Sequence, residues 1–339
     1  MAAAPDEAFL RLIAPHENAL RLHCYRMLGS SHDSDDVLQE TLVRAWRARD
    51  SLESPSTLRP WLYRIATNAC LDELKSRKQR PLPCDVGPPA NDALAPAPAN
   101  PEVTWLEPCP DAWLSGTAQD PGAVYELQES VALAFVAALQ LLSAQQRAVL
   151  LLRDVLGMPA DETATALGLS VSATNSALHR ARVALRERIG GSEERPNVDA
   201  RSEQDEGLLR RYIQAWQSLD ADALVALLND DIIASMPPSP TWLQGKAPTS
   251  AFLRARPFTR LLGSKVELMR ISANGQPAFG FYIDGVLHAV HVLRLRAGKI
   301  IELHHFPEEE SFRAFGLPRS FRAVPPTEAE GARAGVDQS

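Results

Sequence analysis

From about Phe9 to Arg80 apolar residues recur at helical spacing with short breaks. Phe9, Leu12 and Ile13, then Leu20, Cys24, Met27 and Leu28, form two apolar faces before a break at Gly29-Ser30-Ser31. The next predicted helix opens SHDSDDVLQE. It carries Asp33, Asp35, Asp36 and Glu40 in its first turns, where the helix dipole favours carboxylates, and Leu38, Leu42 and Ala45 on its apolar side. After SLESPSTL another helix is expected from Arg59-Pro60, a first-turn proline being tolerated there. Its spacing puts Trp61, Arg64 and Asn68 on one face and Leu62, Ile65 and Ala69 on the neighbouring one. Lys75, Arg77, Lys78 and Arg80 crowd its end, a pattern that suits both the helix dipole and a cationic groove for unpaired bases.

Periodicity stops between Pro81 and Gly122, where a proline- and alanine-rich stretch reads as an extended linker. Inside it WLEPCPDAWL, residues 105–114, is either a docking segment or a local aromatic cluster. A helix is expected to resume near Val124, with Ser143 and Gln146 as a capping box dividing it in two. The stretch from Leu141 to Arg188 predicts helix, tight turn at Gly168-Leu169-Ser170, and helix. In the second of these helices Thr174, Leu178, Ala181 and Leu185 form the buried stripe. Ser172, Asn175, Ser176, His179, Arg182 and Arg186 lie on another, hydrogen-bonding groups first and arginines later, the order in which a recognition helix meets base edges and phosphates. The alternative is an ordinary antiparallel helix pair with a polar outer face.

GGSEERPNVDARSEQ reads as a second linker, after which the pattern changes. Helices near Asp205–Ser218 and Ala221–Leu228, a short strand Ile232–Met236, a helix near Thr249–Arg256 and four strand-like runs follow. Asn274-Gly275, Asp284-Gly285 and Ala297-Gly298 between the runs are hairpin signals. This is an α+β layout with a bent antiparallel sheet around the helices. PPTEAEGARAGVDQS at the end reads as disordered.

The net charge of −7 over 339 residues means that nucleic-acid binding would rest on local basic patches. The four cysteines have neither CxxC nor zinc-ligand spacing, so reduced thiols, no metal and no cofactor are expected. With neither a signal peptide nor a membrane-length apolar run, a cytoplasmic protein with no membrane partner is expected.

Residues 9–188 together resemble sigma-70 family transcription initiation factors of the extracytoplasmic-function type, on SDDVLQETLVRAW, RPWLYRIATNACLDELKSRK and the terminal LHRAR helix in that order. The resemblance implies that Asp35, Asp36, Gln39 and Glu40 dock on the β′ clamp helices of RNA polymerase core, with the β subunit a further contact. It implies that Trp61, Arg64, Asn68, Asp72 and Arg77 engage the promoter −10 element, and that Ser172, Asn175, Ser176, His179, Arg180 and Arg182 engage the −35 element. Family members often carry Lys and Arg where this chain has Asn175 and Ala177, a loss of positive charge that bars copying their −35 preference. Residues 205–316 resemble the SnoaL-like cone, which with the WLEPCPD-type linker is implied to replace a separate anti-sigma protein.

The expected organisation is therefore an all-α sigma region 2 bundle (9–80), a linker (81–122), an all-α sigma region 4 helix-turn-helix (124–190), a SnoaL-like α+β domain (205–316) and a disordered tail (317–339). The expected function is an alternative sigma factor whose C-terminal domain tunes activity, with promoter DNA and core polymerase as partners. Trp216, Met236, Trp242 and His291 are candidates to line a small-molecule cavity in the cone; a filled core with His288, His304 and His305 at sheet edges is the alternative. No acid–base pair stands at a defined spacing, so no enzymatic role is expected. Two competing readings remain: a stand-alone helix-turn-helix regulator with a ligand-sensing C-terminal domain, and an enzyme domain carrying a fused regulator.

Overall fold

The computed structural model describes residues 5–52, 54–76, 79–115, 127–189 and 203–320. The first bundle comprises α1 (Pro5–Ile13), α2 (Glu17–Leu28), α3 (Ser31–Arg47) and α4 (Leu58–Leu74). Gly29 ends α2 in the left-handed conformation, φ 69°. A Cβ there would also stand 2.9 Å from the side chains of Gln140 and Leu106, so glycine is required by both backbone and space. Ser30 then caps α3, its hydroxyl accepting from the Asp33 amide at 3.0 Å. His23 on α2 is buried against Thr67 of α4 at 2.8 Å, and burial lowers its pKa to about 3, so the ring is neutral.

A single turn, α5 (Pro83–Val86), lies in the linker. Residues 127–129 are helical, but the chain turns at 130–132 before α6 (Leu133–Gln140), so the long helix expected from Val124 is interrupted; its first residues lie outside those described. α7 (Ala144–Leu150) opens with the Ser143–Gln146 capping box and continues as a π-helical turn, Leu151–Val155. α8 (Ala160–Leu167) and α9 (Val171–Ile189) are the helix-turn-helix, joined through Gly168 at φ 65°, with the Ser170 hydroxyl capping α9 at 3.1 Å.

The third domain has α10 (Glu203–Gln217), α11 (Ala221–Leu227), α12 (Lys246–Leu253) and six strands: β1 (Leu228–Ser235), β2 (Trp242–Gln244), β3 (Val266–Ala273), β4 (Gln276–Ile283), β5 (Val286–Arg296) and β6 (Lys299–Phe306). The sheet order is β2-β1-β6-β5-β4-β3, with β1 parallel to β6. The expectation of an antiparallel sheet is thus corrected to a mixed one, because a first strand reached through helices lies beside the last strand of the meander. The three predicted hairpins form, with both turn residues at positive φ in each. The domain also extends past Gly316: Leu287 N donates to Arg319 O at 3.0 Å and Tyr282 Oη to Pro318 O at 3.0 Å, so residues 317–320 belong to it rather than to a disordered tail. The tail from 321 onward and the second linker, 190–202, lie outside the described residues.

The apolar cores do not follow the domain boundaries. One cluster joins Leu20, Met27 and Leu62 of the first bundle to Val149, Leu152 and Leu178 of the helix-turn-helix module. A second fills the cone. A third packs the outer face of the sheet, through Ala278, Val290, Val292 and Phe306, against Leu22, Tyr25, Leu106 and Val136.

Candidate nucleic-acid interface

α3 divides its acids by depth. Asp33 is buried and pairs with Arg80 at 2.6 Å. Asp35 is half-exposed and pairs with Arg21 of α2 at 2.7 Å. Asp36, Gln39 and Glu40 face outward, Glu40 pairing with Arg44 at 2.8 Å. Three of the four proposed docking residues therefore share a solvent-facing strip, and Asp35 also braces α2.

On α4, Arg64 and Asn68 are exposed, but Trp61 is not. Its ring is 7% exposed and meets Phe9 of α1 edge-on at 6.5 Å. The expectation that Trp61 shares an open face with Arg64 and Asn68 is corrected: α1 covers that end of the face, so a stacking role for Trp61 would require α1 to move. Asp72 accepts from Arg44 and Lys75 at 3.0 and 2.8 Å, and these partners lower its pKa. Asp72 thus closes an ion-pair chain across α3 and α4. Arg77 lies outside the described residues.

In α9 the predicted buried stripe forms, with Thr174 and Ala181 fully buried. Ser172, Asn175, Ser176, His179 and Arg180 are exposed and, with Val171, form one solvent-facing strip of the helix. Arg182 is held in a bidentate pair with Asp154 at 2.6 and 2.9 Å, which draws its charge toward the protein. Ala177 is 3% exposed, so the charge missing at that position is missing from the module's interior, not from its DNA-facing strip.

The 105–114 segment is the piece whose role the sequence left open, and it docks. Trp105 to Pro110 are all buried. The Glu107 carboxylate accepts from Ser30 Oγ at 3.0 Å, Ser31 N at 3.0 Å, Ser31 Oγ at 3.1 Å and Arg80 at 3.1 Å, capping α3 with an anion at its N-terminus. Burial raises the Glu107 pKa against the pull of Arg80 and these donors. One step along, Tyr25 Oη donates to Glu107 O at 2.8 Å, and Asn274 Nδ2, in the β3–β4 turn, donates to Tyr25 Oη at 2.8 Å and to Val131 O at 2.7 Å. Asn274 Oδ1 accepts from Cys109 N at 3.0 Å. The hairpin tip of the third domain is thereby plugged between α2, the segment and the turn before α6. Earlier in the linker, Asp85 pairs with Arg188 of α9, and Trp242 Nε1 donates to Gly87 O at 2.9 Å. None of this was legible from spacing, because every partner is distant in the chain.

The first bundle and the helix-turn-helix module also meet directly. Arg147, 2% exposed, donates to Met27 O, to Gln140 Oε1 at 2.6 Å and to two further carbonyls, and no carboxylate is among these partners. Burial lowers its pKa to about 10. Arg26 is likewise buried, donating to Ser130 O at 3.0 Å and Ser130 Oγ at 2.6 Å.

Comparison with known proteins fits this arrangement. Residues 12–80 match the Sigma-70 region 2 family, 132–185 the Sigma-70, region 4 family and 209–303 the SnoaL-like domain. The chain is 42% identical to the ECF RNA polymerase sigma factor SigG of Mycobacterium tuberculosis over 311 residues, 90% of this chain and 83% of that protein. It belongs to the ECF RNA polymerase sigma factors. A probable ECF sigma factor of the same organism, SigI, is 27% identical over 83% of this chain and 86% of its own length. The crystal structure of the M. tuberculosis ECF sigma factor SigJ shares the fold at 21% identity, with a TM-score of 0.58 over 91% of this chain and 98% of that one. As an alternative sigma factor the chain directs core polymerase to promoters, which removes the stand-alone regulator reading.

In the sigma factor's third domain the cone is packed with rings. Trp216 stacks on Phe258 at 4.7 Å, Phe281 on His291 at 4.5 Å and Tyr212 on Phe279 at 5.2 Å. Tyr212 Oη is 2.7 Å from His291 Nδ1, and His291 Nε2 is 2.8 Å from His305 Nδ1. Burial lowers the pKa of His291 and brings that of His305 to about 3. The four residues expected to line one cavity separate. Trp216 and His291 are ring neighbours in the core, whereas Trp242 faces the linker and Met236 sits in the turn after β1. They part because Met236 follows the end of β1 in the turn, and Trp242 stands on the short edge strand β2, opposite Ser235, with its indole donating to Gly87 O of the linker. His304 is not at a sheet edge either: it is buried between Ser235 Oγ at 2.8 Å and Glu302 at 3.2 Å. Among the described residues no helix is long and apolar enough to cross a membrane.

Proposed function

We propose that this sigma factor meets core polymerase in a closed form, in which its promoter-reading modules are packed together, and that initiation requires them to separate. Asp36, Gln39 and Glu40, with Asp35 behind them, dock on the β′ clamp helices. Arg64 and Asn68 engage the −10 element, and the exposed strip of α9 engages the −35 element, with region 4 also meeting the β subunit. Two elements named −10 and −35 lie about 25 base pairs apart, on the order of 85 Å at 3.4 Å per base pair. Met27 and Arg147, one from each module, are in hydrogen-bond contact. The shared core of α2, α4, α7 and α9 is the observation that carries the proposal.

In this reading the SnoaL-like domain regulates rather than catalyses, by holding the seam. Its hairpin tip and the 105–114 segment bridge α2 to the turn before α6, while Asp36, Asn68 and Asn175 stay exposed. Restraint therefore acts on the separation of the surfaces rather than on access to them. Replacing Asn274 by glycine keeps the positive-φ turn and removes three side-chain hydrogen bonds, each worth about 1 kcal/mol. In transcription with purified core polymerase, Asn274→Gly is expected to raise output several-fold from the same start site with an unchanged promoter consensus. Unchanged or lower output would contradict the restraining role.

A further inference from the structure

The polar side chains of α9 fall into two sets. Thr174 donates back to Ser170 O at 3.1 Å, Arg182 pairs with Asp154 and Arg188 with Asp85. Ser172, Asn175, Ser176, His179 and Arg180 have no partner among the described residues and share the solvent-facing strip of the helix. Asn175 lies four residues beyond Val171, the first residue of α9, or about 6 Å along the axis at 1.5 Å per residue. That is the N-terminal portion of a recognition helix, which faces base edges when the helix enters the major groove.

Chemistry then separates the free groups. A serine hydroxyl can donate to or accept from any base, and the Arg180 guanidinium suits a phosphate or the paired acceptors of guanine. Only the Asn175 carboxamide offers an acceptor and a donor side by side in one plane. The major-groove edge of adenine presents the complement, the N6 amino donor beside the N7 acceptor; guanine presents two acceptors and would leave Oδ1 unsatisfied. We propose that Asn175 specifies an adenine in the −35 element, its Oδ1 accepting from N6–H and its Nδ2 donating to N7. The assignment rests on the reading of α9 as the −35 helix and adds to it the base that the helix selects.

The test uses holoenzyme assembled from core polymerase and the full chain, selecting promoters with a randomised −35 element, for wild type and Asn175→Ala. Asn175 is exposed and unpartnered, so the variant is expected to melt at the wild-type temperature. Wild type is expected to enrich adenine at one position. Asn175→Ala should lose about 30-fold of preference at that position alone, the middle of the range for a bidentate base contact. Placing 7-deazaadenine there, which lacks the N7 acceptor, should weaken wild type and leave Asn175→Ala unaffected. A uniform loss of affinity across all sequences would mark Asn175 as a phosphate contact and overturn the assignment, as would an unchanged consensus. If wild-type holoenzyme selects no sequence in this element, the −35 reading of α9 fails, and this assignment with it.

Discussion

Replacing Asp36 and Glu40 together by arginine is expected to abolish assembly with core polymerase, lowering affinity on the order of 100-fold or more. Truncating or reversing a charge desolvated in an interface costs roughly 2–5 kcal/mol, and two reversals on one strip place like charges where opposite ones were received. Both residues are exposed on α3, so the fold has little stake in them beyond the Glu40–Arg44 pair, an exposed His32–Asp36 contact at 3.8 Å and a modest helix-dipole contribution from Asp36. Asp35 is a poorer choice: its reversal would set an arginine against Arg21 and mix docking with damage to α2. Core-binding titrations beside a thermal melt separate the two effects. Wild-type affinity in the double variant would remove α3 from the docking surface.

The second large effect is expected at Glu107. Its carboxylate serves Ser30, Ser31 and Arg80 in a buried site, and Arg80 also depends on Asp33. Glu107→Ala leaves a buried guanidinium with one carboxylate and strips the anionic cap from α3, so a loss of about 3–5 kcal/mol in chemical denaturation is expected. The pH profile gives an independent check. Burial raises the Glu107 pKa, so the folded chain holds that proton more tightly than the unfolded chain. The proton-linked part of the stability is therefore full below the ordinary carboxylate value and declines as pH rises through the raised folded value, leaving the contacts of the ionised carboxylate above it. Wild type should show that decline and Glu107→Ala should lack it. A variant as stable as wild type would mean that the segment merely rests on α3.

The helices, the break at Gly29-Ser30-Ser31, the capping box at Ser143 and the three hairpins were legible because each is set by residues within a few positions of one another. The solvent-facing strip of α9 was legible for the same reason. What periodicity missed depends on long-range packing. Trp61 shares helical spacing with Arg64 and Asn68, yet Phe9 of α1 covers it. Ala177 looked like a lost charge on the DNA side and is core. β2 is three residues long beside a proline-rich turn, too short for an alternating pattern, and the parallel pairing of β1 with β6 joins strands separated by the whole meander. The Glu107 network unites residues 30, 80 and 107, each of which reads alone as an ordinary cap, helix-end cation or linker acid. Arg147 reads as one more polar residue at a helix start until Met27 is seen to receive it.

The shared core also has an energetic side. Arg26 and Arg147 are buried against acceptors that, among the described residues, are neutral, which leaves a desolvation cost that hydration would relieve once the modules part. A closed state weakened in this way can yield to polymerase and promoter contacts of ordinary strength, provided those contacts favour the open form.

The most direct measurement is the distance between the two promoter-reading modules, read by a fluorophore pair at the exposed residues Ser56 and Glu162, in the free chain and in holoenzyme bound to promoter. The closed form predicts a short distance in the free chain and an increase of several tens of Å on the promoter, set by the spacing of the two elements. An unchanged distance across the two states would contradict it.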